Sequence, residues 1–172
     1  MNDIILNQAG PEASIFLQQL GKRTFYETFA ESNNEEIIQN YLEKSFSAEK
    51  IEHELSNPES YFFIAYEQDT PVGYLKLNTG KAQTELQGNS ALEIERIYVL
   101  KDFHGKKVGQ VLFEKALEIS RQLNKEFIWL GVWEQNTKAV RFYEKNGFVA
   151  FDTHIFKMGD EEQTDILMKK TL

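Results

Sequence analysis

The chain has 172 residues, 41% of them hydrophobic, which supplies one good-sized core, so we expect a single domain over residues 1–172. Its 27 acidic residues against 19 basic ones give a formal net charge of −8, which argues against nucleic acid as a partner. The absence of cysteine excludes disulfides, a thiolate nucleophile and Cys-containing zinc sites, and three scattered histidines argue against any metal site.

The first half of the chain predicts a short strand, a set of helices and then a hairpin. A strand is expected at residues 4–6, and the apolar spacing predicts helices within residues 15–29, 37–42 and 51–55. Two strands at residues 61–66 and 72–77 are joined by a turn at residues 69–71, and residues 79–90 form an irregular polar connection.

The second half continues the same α/β alternation. Residues 91–99 alternate with period two, which predicts a strand with four side chains on one side, Glu93, Glu95, Ile97 and Val99. A helix is expected from Val108 to Leu123, then a strand at residues 127–133. Asn136 can cap a short helix that stops at Gly147, and residues 148–156 and 165–168 form a closing hairpin.

Residues 97–109 form a strand, a turn and the start of a helix, an arrangement that suits phosphate binding. Free backbone N–H groups at the start of a helix attract anions, and Gly105 and Gly109 let the chain approach a ligand closely. Lys106 and Lys107 add cations, so a diphosphate could be held without a metal. The alternative is that the glycines only permit a tight connection.

Residues 97–109 resemble the cofactor-binding motif of GNAT acetyltransferases, Arg/Gln-x-x-Gly-x-Gly/Ala after an apolar strand. The pattern Asn136-x-x-Ala139-x-x-Phe142-Tyr143-x-x-x-Gly147-Phe148 resembles the second signature of that family. The resemblance covers essentially the whole chain. It implies the α/β (α+β) GNAT fold, a twisted, mostly antiparallel mixed sheet of about seven strands flanked by helices, with a V-shaped splay between the fourth and fifth strands.

Residues 92–98, 128–134 and 158–165 look like the PaiA branch, the spermidine/spermine-type N-acetyltransferases. The resemblance implies a small-molecule amine as substrate, a polyamine first of all, and allows a homodimer. Two residues depart from the family motif: His104 stands where Arg or Gln is usual, and Lys107 stands where Gly is usual. If the position demands a left-handed backbone, Lys107 loses roughly 1–2 kcal/mol there, which one charge-assisted contact to phosphate could offset.

The resemblance implies acetyl-CoA as cofactor, with no metal. The residues that it assigns to cofactor binding are Ile97, Tyr98, Val99, His104, Gly105, Lys106, Lys107, Val108, Gly109, Gln110, Asn136, Tyr143 and Lys145. Three of them have plainer alternatives: His104 can pack against Phe103, Asn136 can serve only as a helix cap, and Lys145 can simply sit in the last helical turn.

Acetyl transfer to an amine also requires proton transfers. An acceptor ammonium resembling lysine has a pKa of about 10.4 and must lose a proton before it attacks. Glu95 matches the base position of related polyamine acetyltransferases, and Glu93 is the second candidate unless it is an ordinary solvated carboxylate. Tyr143 matches the general-acid tyrosine of the family, although an aromatic ring at this position can also serve only the core.

The candidates for binding the acceptor amine are four acidic residues and a few aromatic residues. Asp160, Glu161, Glu162 and Asp165 form an acidic cluster that can attract a polycation or remain a solvated loop. Trp133, with Tyr26 or Tyr41, can line an amine tunnel or belong to the core.

Three functions are therefore open: a polyamine acetyltransferase, a GNAT enzyme for another amine such as a peptide N-terminus or an amino sugar, and an acetyl-CoA-binding regulator with little turnover. The N-terminus lacks the pattern of a signal peptide, and no long apolar stretch occurs, so a cytoplasmic protein without membrane contact is expected.

Overall fold

The computed structural model describes residues 3–85 and 87–172 of the chain, and within them seven strands form one mixed sheet in the order β1-β2-β3-β4-β5-β7-β6. The strands are β1 (Ile4–Ala9), β2 (Ser60–Glu67), β3 (Thr70–Asn78), β4 (Ala91–Val99), β5 (Phe127–Trp133), β6 (Val149–Met158) and β7 (Glu161–Thr171). Neighbouring strands are antiparallel except β4 and β5, which are parallel. The mixed, mostly antiparallel sheet predicted from the sequence is confirmed.

Five α-helices accompany the sheet in the described residues: α1 (Ser14–Phe29), α2 (Glu35–Ser45), α3 (Ala48–Leu55), α4 (Val108–Gln122) and α5 (Thr137–Lys145). The predicted cap of α5 is confirmed, since Asn136 Oδ1 accepts a hydrogen bond from the Ala139 N–H at 3.3 Å. Gly147, just beyond α5, has the expected left-handed backbone, with φ 90°. In the described part of the chain, no helix combines the length and the apolar character needed to cross a bilayer.

Several predicted segments are shorter than the elements in the structure, the last strand among them. The last strand, expected at residues 165–168, runs over all of β7, because β7 pairs with both β5 and β6 along its length. Leu86 falls in the predicted connection of residues 79–90 and lies outside the described residues, as do Met1 and Asn2 at the start of the predicted domain.

The sheet separates two hydrophobic layers. Helices α4 and α5 cover one face, which we call the α4 face, around Leu75, Leu92, Leu112, Ile128, Leu130 and Met168. Helices α1, α2 and α3 cover the other, the α1 face, around Leu17, Ile38, Leu42, Ile51, Phe62 and Tyr74. Each face therefore presents a different set of side chains to any ligand that reaches the sheet.

The predicted common side for Glu93, Glu95, Ile97 and Val99 is wrong. Ile94 pairs with Leu77 of β3, and Arg96 pairs with the adjacent Lys76. Glu95 therefore has no register partner on β3 and is the extra residue of a β-bulge. One extra residue reverses the alternation of sides along a strand. Ile97 and Val99 consequently pack on the α4 face.

The carboxylates of β4 lie on the opposite, α1 face, inside a charged network. The Lys76 ammonium contacts the Glu95 carboxylate and lies 3.3 Å from Glu54 Oε2. Arg96 donates two hydrogen bonds to Glu54, at 2.8 and 3.2 Å, and its guanidinium lies 5.0 Å from the centre of the Phe46 ring. The network joins α3, β3 and β4 beneath the helical layer.

Replacing Arg96 with alanine should lower the free energy of unfolding by about 3–5 kcal/mol, because it removes one of the cations that contact the largely buried Glu54 and Glu95 carboxylates and leaves Lys76 as the cation that they share. Urea denaturation measures this change. Arg23→Ala is the control, since Arg23 pairs with Glu27 at 3.2 Å on the surface with its side chain 57% exposed, and should cost no more than about 1 kcal/mol. Equal losses for the two variants would show that the buried network contributes no special stability.

Candidate active site

The sheet opens between β4 and β5. The two strands pair in parallel over three residues only, with Ala91, Leu92 and Glu93 opposite residues 127–129. Beyond that point residues 94–99 continue along β3, and residues 130–133 continue along β7. The predicted splay between the fourth and fifth strands is therefore confirmed.

Backbone groups of β4 point into this gap. The Leu100 N–H donates to Val72 O at 2.9 Å, which directs the backbone groups of Tyr98 toward β3 and those of Ile97 and Val99 toward β5. His104 Nε2 lies 2.8 Å from Val99 O and donates to it in the Nε2–H tautomer. The N–H groups of Ile97 and Val99 remain directed at the gap, where an extended ligand can pair with them.

Helix α4 begins beside the gap with an uncapped N-terminus. Lys107 is its N-cap residue, with a left-handed backbone (φ 64°, ψ 10°), and no side chain among the described residues caps the helix. Gly105 is also left-handed, with φ 80°, and a β-carbon there would have no atom within 4 Å. The first four N–H groups of a helix have no intrahelical partner and carry partial positive charge, so this end is suited to an anion.

The two sequence motifs meet at this helix end. A β-carbon built on Gly109 would lie 4.0 Å from Phe142 Cζ and 4.0 Å from Val99 Cγ2, so the first turn of α4 packs between α5 and the end of β4. Gln110 Nε2 donates to Asn146 Oδ1 at 3.1 Å and ties α4 to the end of α5. Residues that are far apart in the sequence are thus assembled around one opening.

Three lysines surround the opening with their side chains in solvent. Lys106, Lys107 and Lys145 are exposed, and Lys106 Nζ lies 4.5 Å from the centre of the Phe103 ring and 3.9 Å from Glu67 Oε1. Lys145 is in the last turn of α5. These cations reinforce the positive end of α4.

Tyr143 lies on the α4 face, on the helix that follows Asn136. It is 7% exposed and packs between Phe142 and Phe148, with ring centres 5.4 and 5.6 Å away. Burial raises the pKa of its hydroxyl, and no charge or hydrogen bond in the described part of the chain shifts it further. The phenol is therefore a core residue that stays protonated across the neutral range.

Glu95 is surrounded by cations and donors. Besides Lys76, its carboxylate accepts a hydrogen bond from Asn78 Nδ2 at 2.8 Å and lies 3.7 Å from an Arg96 nitrogen. Burial alone would raise the pKa of Glu95, but the charges of Arg96 and Lys76 and the hydrogen bonds outweigh it and lower the pKa to about 2. A carboxylate in this state is a weak base.

Glu93 is closed off from solvent. It is 3% exposed, and its carboxylate accepts hydrogen bonds from the Thr84 N–H at 2.8 Å, from the Thr84 hydroxyl and from Asn78 Nδ2 at 3.0 Å. Burial raises the pKa of Glu93, and these hydrogen bonds oppose the rise. These hydrogen bonds hold the β3–β4 connection against the sheet. The Glu93 carboxylate is therefore engaged within the protein and does not face a ligand.

The aromatic and acidic residues expected near the acceptor separate into three places. Trp133 lies 5.4 Å from Phe29, ring centre to ring centre, and lines a cavity of about 320 Å³ together with Glu134, Glu161 and Glu162. A second cavity, of about 380 Å³, is lined by Glu36, Ile37, Asn40, Tyr41, Lys44, Gly159 and Asp160. Tyr26 is not in the lining of either cavity and donates to Glu35 at 3.1 Å.

Acidic residues do not form a metal site in the described part of the chain. Over residues 3–85 and 87–172, no three His, Asp or Glu side chains are arranged to hold a metal ion.

One residue pair at the opening was not expected from the sequence. Gly131 is exposed in the middle of β5, and a β-carbon there would lie 3.6 Å from Asp165 Oδ2 on β7. Burial raises the pKa of Asp165 to about 6, although the charge of His154 lowers it in part. A glycine inside a strand, which often marks a close approach, was the one available signal.

The chain is similar to known acetyltransferases along most of its length. Residues 18–148 match the model of the acetyltransferase (GNAT) family. An uncharacterized N-acetyltransferase of Lactobacillus delbrueckii subsp. lactis is 40% identical over 153 residues, 89% of this chain and 88% of that protein. The spermidine N(1)-acetyltransferase of Thermoplasma acidophilum is 27% identical over 158 residues, 90% of this chain and 88% of that protein.

Solved structures show the same fold. The crystal structure of the PaiA N-acetyltransferase of Thermoplasma acidophilum in complex with coenzyme A superposes with a TM-score of 0.82 and 25% identity, covering 99% of each chain. An acetyltransferase of Rhodopseudomonas palustris related to GCN5 superposes with a TM-score of 0.79 and 21% identity, covering 100% of this chain and 98% of the other.

The left-handed Lys107 gives a test of the helix start. Lys107→Gly should raise the free energy of unfolding by about 0.5–1 kcal/mol, because glycine removes the strain of a β-carbon at positive φ. Lys106→Gly is the matched control: Lys106 does not have a positive φ, so the same change should lower stability. Urea denaturation of both variants measures the difference, and a destabilised Lys107→Gly protein would contradict the described backbone.

Proposed function

This chain belongs to the acetyltransferase (GNAT) family and is an N-acetyltransferase, and we propose that it transfers the acetyl group of acetyl-CoA directly to a primary amine, a polyamine such as spermidine or spermine. The observation that carries the proposal is the splay, which has an anion-binding helix end on one face of the sheet and carboxylates on the other. A cofactor and an amine can approach each other through the opening without an intermediate carrier on the protein.

The residues at α4 fit a coenzyme A diphosphate. In the proposal, the N–H groups of residues 107–110 bind the diphosphate, and Lys106, Lys107 and Lys145 add attraction from the rim. The uncapped helix and the open space at Gly105 support this assignment. Ile97 and Val99 pair with the amide groups of the pantetheine arm, while His104 holds the Val99 carbonyl and so fixes the strand that they belong to.

Bound acetyl-CoA supplies an acetyl thioester, and Tyr143 supplies the proton for the departing sulfur. A thiol has a pKa of about 8.5, so a phenol can protonate the thiolate without carrying charge itself. Tyr143 lies on the same α4 face as the helix end proposed for the cofactor, which supports this role, although burial raises the pKa of the phenol and makes it a weaker acid. Asn136 holds Tyr143 indirectly, by capping the helix that carries it.

A polyamine is favoured on the acceptor side by charge. Glu134, Glu161 and Glu162 line the cavity next to Trp133, and a second ammonium group of the acceptor can be held there with its charge over the indole ring. The similarity to the spermidine N(1)-acetyltransferase supports the same acceptor class. Acetylation of another amine, or cofactor binding without turnover, remain the alternatives.

An acetyl-transfer assay distinguishes these functions. The purified protein is incubated with acetyl-CoA and one acceptor at a time, either spermidine, spermine, an amino sugar or a short peptide, and the free thiol of CoA is measured. We expect the highest kcat/KM with spermidine or spermine. Preference for an amino sugar or peptide would reject the polyamine proposal, and CoA binding by calorimetry without release on any acceptor would favour the regulator.

Tyr143→Phe should lower kcat by about 10- to 100-fold while the Kd for CoA stays within about twofold, since the hydroxyl acts in the transition state and not in binding. Steady-state kinetics and calorimetry measure the two quantities. Tyr61→Phe makes the same chemical change on β2, against the same core, and should leave both unchanged. Unchanged turnover in Tyr143→Phe would remove this residue from the reaction.

A further inference from the structure

Asp165 occupies a distinct position on the α1 face of the sheet. It lies in register with Trp133 of β5 on one side and with His154 of β6 on the other. Its neighbour Ile166 packs on the α4 face, so the alternation of β7 directs Asp165 to the α1 face. There the Asp165 side chain lies next to Gly131. A β-carbon built on that glycine would be 3.6 Å from Asp165 Oδ2 and 3.9 Å from Asp165 Cβ.

Gly131 marks the point where the opening reaches the α1 face. Trp129 is the last β5 residue paired with β4, and Gly131 is the next residue of β5 on the same side. Because β4 has already turned away, Gly131 is exposed although it belongs to an inner strand. A group that passes through the splay from the α4 face therefore emerges over Gly131, beside Asp165.

The groups that face Asp165 differ from those around Glu95. His154 lies opposite on β6, and its Nδ1 contacts the carboxylate of Glu85. Tyr41 of α2 also lies near Asp165, since the charges of Asp165 and of Glu95 both raise the pKa of its hydroxyl. Within the described residues, the only charge that acts on Asp165 noticeably is that of His154, whereas Glu95 is held by two cations and an amide.

We propose that Asp165 is the residue that takes the proton from the acceptor amine, an inference that rests on the proposed acetyl transfer. The Asp165 carboxylate accepts one proton from the ammonium group, whose nitrogen keeps the electron pair of the broken N–H bond. That pair forms the bond to the acetyl carbon, the bond from this carbon to sulfur breaks, and Tyr143 donates its proton to the sulfur. The acetylated nitrogen still carries two protons, and one of them passes through solvent to the Tyr143 phenolate, which leaves the neutral amide. Solvent takes the proton from Asp165, so the products are the amide, the thiol of CoA and one proton.

The difference in pKa between the carboxyl groups of Asp165 and Glu95 also favours Asp165 as the proton acceptor. With a pKa of about 6, Asp165 is ionised at neutral pH and binds a proton far more readily than Glu95, whose pKa is about 2. The acceptor has a pKa of about 10.4, so the less acidic carboxyl group is the better partner for proton transfer. Glu95 is then a positioning residue that holds Lys76 and Arg96 beneath the helices of the α1 face.

The pH profile of Asp165→Asn tests the proposal. In the wild type, kcat/KM for spermidine should be flat between about pH 7 and 9 and fall below pH 6, as Asp165 becomes protonated. In Asp165→Asn, only amine that is already neutral reacts, so kcat/KM should be about 100-fold lower at pH 7 and rise about tenfold per pH unit up to pH 9. Calorimetry should show an unchanged Kd for CoA.

Two variants serve as controls in the same assay. Asp152→Asn makes the same change on β6, where Asp152 is exposed and accepts a hydrogen bond from the neighbouring Thr153 N–H, and should keep the wild-type profile. Glu95→Gln should keep the flat profile between about pH 7 and 9, whatever its effect on stability, because it does not remove the proton acceptor.

Gly131→Ala tests access to Asp165 without touching the carboxylate. Gly131 does not have a positive φ, so alanine fits the backbone, and its β-carbon would lie against the Asp165 carboxylate. We expect KM for spermidine to rise about tenfold, with the Kd for CoA unchanged. An unchanged KM would place the amine elsewhere and overturn the inference.

The outcomes separate this inference from the proposed function. A wild-type profile in Asp165→Asn, or a loss of the flat region in Glu95→Gln alone, overturns the role of Asp165 while acetyl transfer stands. A wild-type protein that acetylates no amine overturns the proposed function and the inference with it.

Discussion

The site depends on the short parallel pairing of β4 with β5. Parallel strands require a crossover connection, and here the crossover is α4, whose N-terminus lies beside the gap that opens where the pairing stops. The first turn of this helix packs near Val99 and Phe142, and a β-carbon at Gly109 would lie 4.0 Å from each of them. One feature of the topology thus produces both the unpaired backbone of β4 and the positive helix end next to it.

The two faces of the opening have opposite chemistry. Lysines and free N–H groups surround it on the α4 face, and carboxylates lie on the α1 face, where the bulge at Glu95 puts Arg96 on the same side as Glu95. Glu95 and Arg96 are tied to Lys76 and Glu54, so these charges hold the sheet and α3 together. Asp165 has no such partners in the described residues, which leaves its carboxylate available for proton transfer.

The features that depend on local sequence patterns were predicted correctly. The strand, turn and helix of residues 97–109 and the capped helix after Asn136 depend on nearby glycines and caps, and both are present as expected. The shared side of Glu93, Glu95, Ile97 and Val99 was mispredicted because the bulge at Glu95, which puts Ile97 and Val99 on the opposite face, is decided by pairing with β3. The contact of Asp165 with Gly131 joins β7 to β5 across the sheet, and no local pattern encodes it.

A crystal structure of the protein with CoA and spermidine tests the central claim most directly, that cofactor and amine meet through the β4–β5 opening. We expect the diphosphate on the N–H groups of residues 107–110, the pantetheine arm along Ile97 and Val99, and an amine nitrogen within hydrogen-bond distance of Asp165 above Gly131. A diphosphate bound away from α4, or an amine on the α4 face, would contradict it.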